Sequence, residues 1–335
     1  MIIQEKIMIF GGTGSLGKKL IQRFAKNNKV IVYSRDEAKH WTIRNQHLNT
    51  DINDNLSFVV GDIRDKIRVL DTIRRYQPTK IIIAAALKQV DTCELSPDES
   101  VKTNLIGTQN IIDAINSIDG HRTVMFISTD KACSPVNVYG MCKSISERIV
   151  TSQSIRTSDN KYLCVRYGNV LESRGSIIPL FKYQAENNAY LTVTDPEMTR
   201  YVMTLDDSVD LIEHTFCNGV SGETWIPKLK SMLIGDLAKI FALKHNKQIK
   251  IIGLRPGEKK HEDLINESES VRTRDVGTHY VISPSYIAGS GKNFTYSSDQ
   301  NVMCQEELEA HLTSLNIIEK PLNSFEGKSI EEIAI

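Results

Sequence analysis

The chain has 335 residues, with 41 Lys plus Arg against 41 Asp plus Glu and 40% hydrophobic residues. That length buries a large core, in one domain or two lobes. The balanced charge, without a basic stripe interleaved with aromatics, argues against a nucleic-acid partner, and no uninterrupted apolar run reaches membrane-spanning length. The six cysteines (Cys93, Cys133, Cys142, Cys164, Cys217 and Cys304) form no CxxC pair. Neither a zinc site nor a disulfide framework is therefore expected, and the chain reads as a soluble protein of a reducing, cytoplasmic compartment.

In chain order, Lys6 to Phe10 reads as a first strand, Gly11 to Gly17 as a turn and Lys18 to Asn27 as a helix. Gly11, Gly14 and Gly17, with Thr13, Ser15 and Leu16 between them, make a G-x-x-G-x-x-G turn between strand and helix. Glycines let the backbone approach a diphosphate, and a helix N-terminus favours its charge. Lys29 to Tyr33 reads as a second strand, followed by Ser34-Arg35-Asp36 and a polar stretch. An acidic residue at the end of that strand would favour NAD. Here Ser34 and Arg35 suit a 2′-phosphate, with Lys39 in reach, so NADP is expected; the alternative is Asp36 on the ribose of NAD.

Leu56 to Val60 reads as a third strand, ending near Asp62 and Ile63, with Asp62 placed for an adenine amine. Lys66 to Tyr76 reads as a helix and Lys80 to Ala86 as a fourth strand, whose Ala84, Ala85 and Ala86 leave room beside a cofactor. Lys88 follows, as a contact to cofactor or substrate. A helix from Ser100 to Ser117 carries Asn104. Strands alternating with helices predict a parallel sheet of the Rossmann type.

The apolar run Val124 to Ile127 leads into Ser128-Thr129-Asp130-Lys131, at a strand's C-terminal end, where open α/β sheets bind ligands. Tyr139 and Lys143 are one helical turn apart, and an ammonium beside the phenol is expected to lower the Tyr139 pKa. Asp130 and Lys131 offer a second acid/base pair. Tyr162 to Arg166 reads as another strand. Beyond Arg174 the alternation loosens, with helices at Thr204 to Phe216 and Ile234 to Leu243 and an unreadable segment near Ser268 to Tyr296. The expected division is residues 1–173 for a dinucleotide-binding domain and 174–335 for a smaller substrate lobe, with some segments returning to the first. His214 and His261 have no spaced partners, so no metal is expected.

These motifs, with Thr103-Asn104-Leu105-Ile106-Gly107-Thr108, resemble the extended short-chain dehydrogenase/reductase superfamily. More narrowly, several motifs resemble inverting UDP-N-acetylglucosamine 4,6-dehydratases: Ser34-Arg35-Asp36-Glu37, Ser128-Thr129-Asp130-Lys131-Ala132, Arg166-Tyr167-Gly168-Asn169-Val170, Ser173-Arg174-Gly175-Ser176 and Arg255-Pro256-Gly257-Glu258-Lys259. Retaining dehydratases carry Asp-Glu in place of Asp130-Lys131. Glu172 departs from the pattern, where a small residue is more usual. Some relatives carry an N-terminal membrane region, and this chain resembles those without one.

The resemblance implies tightly bound NADP, a UDP-sugar substrate and a homo-oligomer, with no membrane partner. It implies that Tyr139 takes the C4 hydroxyl proton, Lys131 as a free amine takes the C5 proton, and Asp130 protonates the departing C6 hydroxyl, with inversion at C5. Thr129 would contact the sugar near O4, Lys143 the nicotinamide ribose, and Asn169 and Ser176 the substrate. Arg255 would hold phosphate and Glu258 ribose hydroxyls. Rival readings are a UDP-sugar 4-epimerase, a retaining dehydratase and a non-catalytic NADP-sensing protein.

Overall fold

The computed structural model describes residues 2–156, 159–173, 175–289 and 291–321. Arg174 and the end of the expected C-terminal lobe, 322–335, lie outside the described residues.

Strand β1 (Lys6–Phe10), helix α1 (Ser15–Phe24), β2 (Lys29–Ser34), α2 (Glu37–His47), β3 (Leu56–Val60), α3 (Lys66–Tyr76) and β4 (Lys80–Ile83) form the first half of an α/β alternation. Helices α4 (Val90–Leu95) and α5 (Pro97–Ser100) follow, then a π-helical stretch, Val101–Ile106, that runs into α6 (Gly107–Asn116). Next come β5 (Thr123–Ile127), one 3-10 turn (Asp130–Ala132), α7 (Val138–Thr151) and β6 (Lys161–Val165). The remainder holds α8 (Ile177–Asn187), β7 (Tyr190–Val193), β8 (Thr199–Tyr201), α9 (Leu205–Asn218), β9 (Thr224–Pro227), β10 (Ser231–Leu233) and α10 (Ile234–His245). It closes with β11 (Gln248–Ile251), β12 (Asp263–Ile265), α11 (Glu267–Ser270), β13 (Thr273–Asp275), β14 (His279–Ile282), β15 (Tyr296–Ser297) and α12 (Gln305–Ser314).

The main sheet has nine strands in the order β13-β14-β9-β6-β5-β4-β1-β2-β3. From β9 to β3 the pairing is parallel, and β14 and β13 add an antiparallel edge. The inner strands are nearly continuous apolar runs because both faces are covered. Side chains alternate between two cores. Ile7 and Ile9 pack with Leu20, Ile21 and Ile212, while Met8 and Phe10 pack with Ile73, Ile111 and Ile115. A smaller C-terminal lobe has its own core of Ile178, Phe181, Leu191, Leu237, Phe241 and Leu308. β1 lies between β2 and β4, so strand order reverses there, and a crevice opens at the carboxyl ends of β1 and β4. No described helix is long and apolar enough to cross a membrane.

Four elements differ from the sequence expectation. The polar stretch after β2 is helix α2, capped by Asp36, which accepts from the Lys39 amide. β4 ends at Ile83, short of Ala86. The helix expected from Ser100 starts at Pro97 and contains the π-helical insertion. There the Asn104 carbonyl accepts from Thr108 Oγ1 at 2.7 Å and Ser146 Oγ at 2.9 Å, and such competing donors disrupt the regular ladder. The segment after Ser268 supplies β13 and β14, a local antiparallel pair that joins the sheet through β14 on β9, far away in sequence.

One buried cation joins these parts. Arg166, after β6, donates Nε and Nη2 to Glu147 of α7 at 2.9 and 2.6 Å. It donates Nη1 and Nη2 to Glu269 of α11 at 2.8 and 2.9 Å, and Nη1 to the Leu264 carbonyl at 2.9 Å. All five guanidinium hydrogens are thereby used. Burial pushes the Glu269 pKa up, but Arg166 outweighs it and holds the group at about 2. A depressed carboxylate contributes stability above its unfolded pKa and loses it as pH falls through the folded one. Urea unfolding should therefore show stability declining from about pH 4.3 toward about pH 2. Glu269→Gln should remove that component of the slope and cost roughly 3–5 kcal/mol at neutral pH.

Candidate active site

The β1–α1 turn sits at the crevice. Gly11 has φ +87°, and a Cβ there would lie 2.6 Å from the Ala85 amide nitrogen, so the turn packs directly on the chain after β4. At Gly14 a Cβ would meet only the Gly11 carbonyl, at 3.4 Å, leaving open space over the start of α1. No side chain caps that helix end. This open, uncapped N-terminus fits a dinucleotide diphosphate. Thr13 Oγ1 donates to Ser34 Oγ at 3.1 Å, and Ser34 lies 2.8 Å from His40 Nε2. Arg35 is 54% exposed at the crevice rim. Asp36 caps α2 and pairs with Lys39 at 2.9 Å, so it is already engaged within the protein.

Several expected cofactor contacts are differently employed. Asp62 Oδ2 is held by Arg64 at 2.7 Å and faces Arg35 at 3.8 Å, with 24% of its side chain still exposed. The Ile63 side chain is buried against Gly107. Asn104 clamps Leu87, accepting from its amide at 2.8 Å and donating to its carbonyl at 2.9 Å, with Ser100 Oγ at 3.3 Å. It therefore shapes the segment after β4. Ala84 continues that segment from β1, donating to the Phe10 carbonyl, and Lys88 is exposed beyond it.

A cluster of polar and charged side chains forms where β5 ends. Thr129 starts the 3-10 turn and donates Oγ1 to Asp130 Oδ1 at 2.9 Å. Lys131 Nζ donates to the same oxygen at 3.1 Å and lies 3.2 Å from Glu262 Oε1. A Cβ at Gly140 would lie 2.2 Å from the Lys131 carbonyl oxygen, so glycine lets α7 press against this turn. Asp130 is 1% exposed and its Oδ2 has no partner. Glu262 Oε2, in the same cluster, is likewise buried without a partner, and so are Asn169 Oδ1 and Ser176 Oγ.

Three sequence expectations need correction. Burial raises the Tyr139 pKa to about 12, and the cation opposing this is Lys131, not Lys143. Lys143 instead donates Nζ to the Ile127 carbonyl at 2.5 Å and lies 4.1 Å from the Phe126 ring centroid, while burial lowers its pKa to about 8. Lys131 is not held as a free amine. Burial disfavours its charge, but Asp130 and Glu262 more than compensate and raise its pKa.

The C-terminal part closes over this cluster. Arg255 pairs with Glu258, Nε to Oε1 at 3.4 Å, on an exposed loop. Two contacts fix the loop's base: Asn137 Nδ2 to the Gly257 carbonyl at 2.7 Å, and Lys259 Nζ to the Cys133 carbonyl at 2.8 Å. Asn137 also caps α7 through the Gly140 amide at 2.8 Å. Asn137, Lys259, Arg200 and Glu262 were given no role from sequence. An Asn two residues before the YxxxK tyrosine was a readable cap signal, whereas Glu262 carries no local signal at all.

A parallel sheet with a dinucleotide cradle, a Tyr139/Lys143 helix and a C-terminal lobe over the same crevice defines an extended short-chain dehydrogenase/reductase. The model of the polysaccharide biosynthesis protein family matches residues 7–284, and the chain belongs to that family. Its curated relatives include an inverting UDP-N-acetylglucosamine 4,6-dehydratase of Campylobacter jejuni subsp. jejuni serotype O:23/36, 38% identical over 91% of this chain and 96% of the relative. They also include a UDP-glucose 4-epimerase of Rickettsia bellii, 36% identical over 95% of each chain. Pen from Bacillus thuringiensis superposes with a TM-score of 0.88 at 34% identity, covering 94% of this chain and 98% of that one. The protein is thus an enzyme of the nucleotide-sugar epimerase and dehydratase group, for which a nicotinamide dinucleotide is the typical cofactor.

Because Asn137 both caps α7 and holds Gly257, Asn137→Ala should cost about 1–2 kcal/mol of stability in chemical denaturation. Asn137→Asp should keep the cap and recover most of that loss while still breaking the donor contact to the loop.

Proposed function

We propose that the protein is an NADP-dependent, inverting UDP-N-acetylglucosamine 4,6-dehydratase. It would yield UDP-2-acetamido-2,6-dideoxy-beta-L-arabino-hex-4-ulose, an early intermediate of amino-deoxysugars for surface glycans. The observation that carries the reading is the direct hydrogen bond from Lys131 Nζ to Asp130 Oδ1, at 3.1 Å, beside Tyr139. A 4-epimerase acts at C4, which Tyr139 and Lys143 serve, and has no use for an acid and a base joined in this way. The 4-epimerase remains the second reading, because relatives of that name match this chain equally well over its length.

A nicotinamide bound in the cradle supplies the hydride acceptor for C4 and the donor for C6. Tyr139, as the phenolate formed once its own proton is given up to solvent, takes the C4 hydroxyl proton, and the ketone formed acidifies C5–H. A proton passed from Lys131 to Asp130 along their hydrogen bond turns the resting ion pair into a neutral amine and a protonated carboxyl. Those are the states elimination requires. The amine takes the C5 proton, Asp130 protonates the C6 hydroxyl, water leaves and the ion pair is restored. Tyr139 then returns its proton to C5 from the face opposite Lys131, inverting that centre. From the Tyr139 phenolate onward, every proton is accounted for within these three side chains. Ser34 and Arg35 would hold the 2′-phosphate of NADP, with Asn169, Ser176, Arg255 and Glu258 on the UDP-sugar.

Proton NMR with UDP-N-acetylglucosamine and NADP⁺ in D₂O should show a new C6 methyl signal and deuterium at an inverted C5. A sugar changed only at C4 would establish the epimerase instead. Lys131→Ala and Tyr139→Phe should each lower turnover roughly 100- to 10,000-fold while leaving cofactor bound. In calorimetry, Arg35→Ala should weaken NADP binding by about 10- to 100-fold and leave NAD binding nearly unchanged.

A further inference from the structure

Glu262 has no part in the scheme above, yet its Oε1 lies 3.2 Å from Lys131 Nζ, on an element 131 positions away in sequence from that lysine. It is 2% exposed, a costly place for a carboxylate that only fills space. Its backbone is pinned on both sides by Ser298: the Glu262 amide donates to Ser298 Oγ, and the Ser298 amide donates to the Glu262 carbonyl, each at 2.9 Å. Arg200 of β8 approaches Oε1 to 4.0 Å. The Arg200 guanidinium is itself fixed by the carbonyls of Thr199, Lys259 and Lys260, at 2.8, 2.9 and 3.2 Å. Glu262 is therefore a rigid anion aimed at a flexible ammonium.

We propose that Glu262 is the positioning residue for Lys131, anchoring its nitrogen through the elimination step at the moment when Asp130 can no longer do so. This rests on the dehydratase reading above. In the resting pair two carboxylates share the ammonium. Once a proton moves to Asp130, that carboxyl is neutral and must turn toward the leaving hydroxyl. A lysine amine on a four-carbon stem would then lose its only partner on the turn. Glu262 Oε1 still accepts one N–H of the neutral amine, so the lone pair keeps its direction toward C5. The proton moves from Nζ to Asp130 Oδ1 and no other bond changes, so Glu262 stays ionised throughout.

The charged groups that face Glu262 are Lys131 on the turn after β5, itself paired with Asp130, and Arg200 on β8, with His261 beside it in the chain hydrogen-bonded to Thr199; Tyr139 on α7 interacts with Lys131 and Asp130. Removing the Glu262 charge leaves Lys131 with one counter-anion, so the ammonium loses its proton more easily. The limb of the kcat–pH profile that reports this lysine should then move to lower pH.

The test uses the full-length holoenzyme with UDP-N-acetylglucosamine, comparing wild type with Glu262→Gln and Glu262→Asp. In Glu262→Gln, kcat should fall about 100-fold with KM within a few-fold of wild type. Deuterium entry at C5 should fall with it. Reduced nicotinamide, seen by its near-ultraviolet absorbance on mixing, should still form and should now accumulate, because C4 oxidation precedes the blocked step. Glu262→Asp, which keeps the charge, should regain part of kcat and the wild-type pH profile. Wild-type turnover and an unshifted profile in Glu262→Gln would overturn the proposal. So would parallel loss of nicotinamide reduction, C5 exchange and thermal stability without rescue by Glu262→Asp, which would mark a purely structural residue. If wild type itself forms no methyl product and exchanges no C5 hydrogen, the dehydratase reading fails first and takes this one with it.

Discussion

The Arg166 guanidinium is the constraint on which the site's geometry depends. It lies at the carboxyl end of β6 and binds Glu147, one helical turn beyond Lys143 on α7, and Glu269, on the segment that follows Glu262 and β12. A single planar cation thus sets the distance between the catalytic helix and the returning C-terminal chain. Hydrophobic packing alone would bring these elements together without fixing their rotation. The forked geometry of Arg, bidentate to Glu147 and to Glu269, specifies it. A buried ionic network is a poor source of net stability, since desolvation offsets most of the attraction. Its use here is orientation. Tyr139 and Lys131 come from different elements, and their relative placement follows from how α7 is seated.

The same reasoning explains how the active site tolerates so many buried charges. Asp130, Glu262, Lys131 and Arg200 form a cluster of two anions and two cations, joined by contacts of 3.1, 3.2 and 4.0 Å. Formal neutrality lets the cluster sit in a low-dielectric setting without a large solvation penalty. A proton shifted between Lys131 and Asp130 does not alter the cluster's total charge, so such a shift needs little reorganisation around it. Removing a proton to solvent would leave an uncompensated charge. Internal transfer is therefore the change the surroundings resist least, and it is the one that the proposed elimination would use. Tyr139 lies against this cluster with a pKa raised by burial and moderated by Lys131. Its acidity is thus tied to the state of the Asp130–Lys131 pair.

Much of the fold was legible in the sequence, because its signals are local. The apolar runs of β1, β2, β3 and β5 and the glycine turn each declare themselves within a few residues. α2 was hidden because little of it faces the core: Trp41 is 67% exposed and only His40 and Ile43 are buried. β14 was hidden because its pairing with β9 is a long-range fact, and the short edge strand β13 is ordered only by pairing with β14. At the site, the i, i+4 spacing placed Tyr139 and Lys143 on one helix face but gave no information about where a long side chain ends. Lys143 reaches back to the Ile127 carbonyl, and the cation near the phenol is Lys131. Asn104 shows the same limit. Its motif marks it as near the cofactor segment, but only the fold reveals that its amide is used by Leu87 and Ser100.

The loop carrying Arg255 and Glu258 divides its interactions by exposure. At its tip these two residues pair with each other, and Arg255 is 54% exposed. An exposed pair of this kind contributes about 0–1 kcal/mol, so a diphosphate that claims the guanidinium displaces little. At its base, Asn137 and Lys259 bind main-chain carbonyls, one of the loop and one of the segment after the catalytic turn. Asn137 is also the cap of the helix bearing Tyr139. A ligand can therefore re-aim the tip at small cost while the base keeps its register against α7. Arg200 extends the same base, since the carbonyls of Lys259 and Lys260 hold the guanidinium that faces Glu262. The loop proposed to hold the nucleotide and the charged cluster around Lys131 thus share one piece of backbone. A substitution in the Lys259–Glu262 segment should be felt in the chemistry even where the side chain changed never touches the sugar.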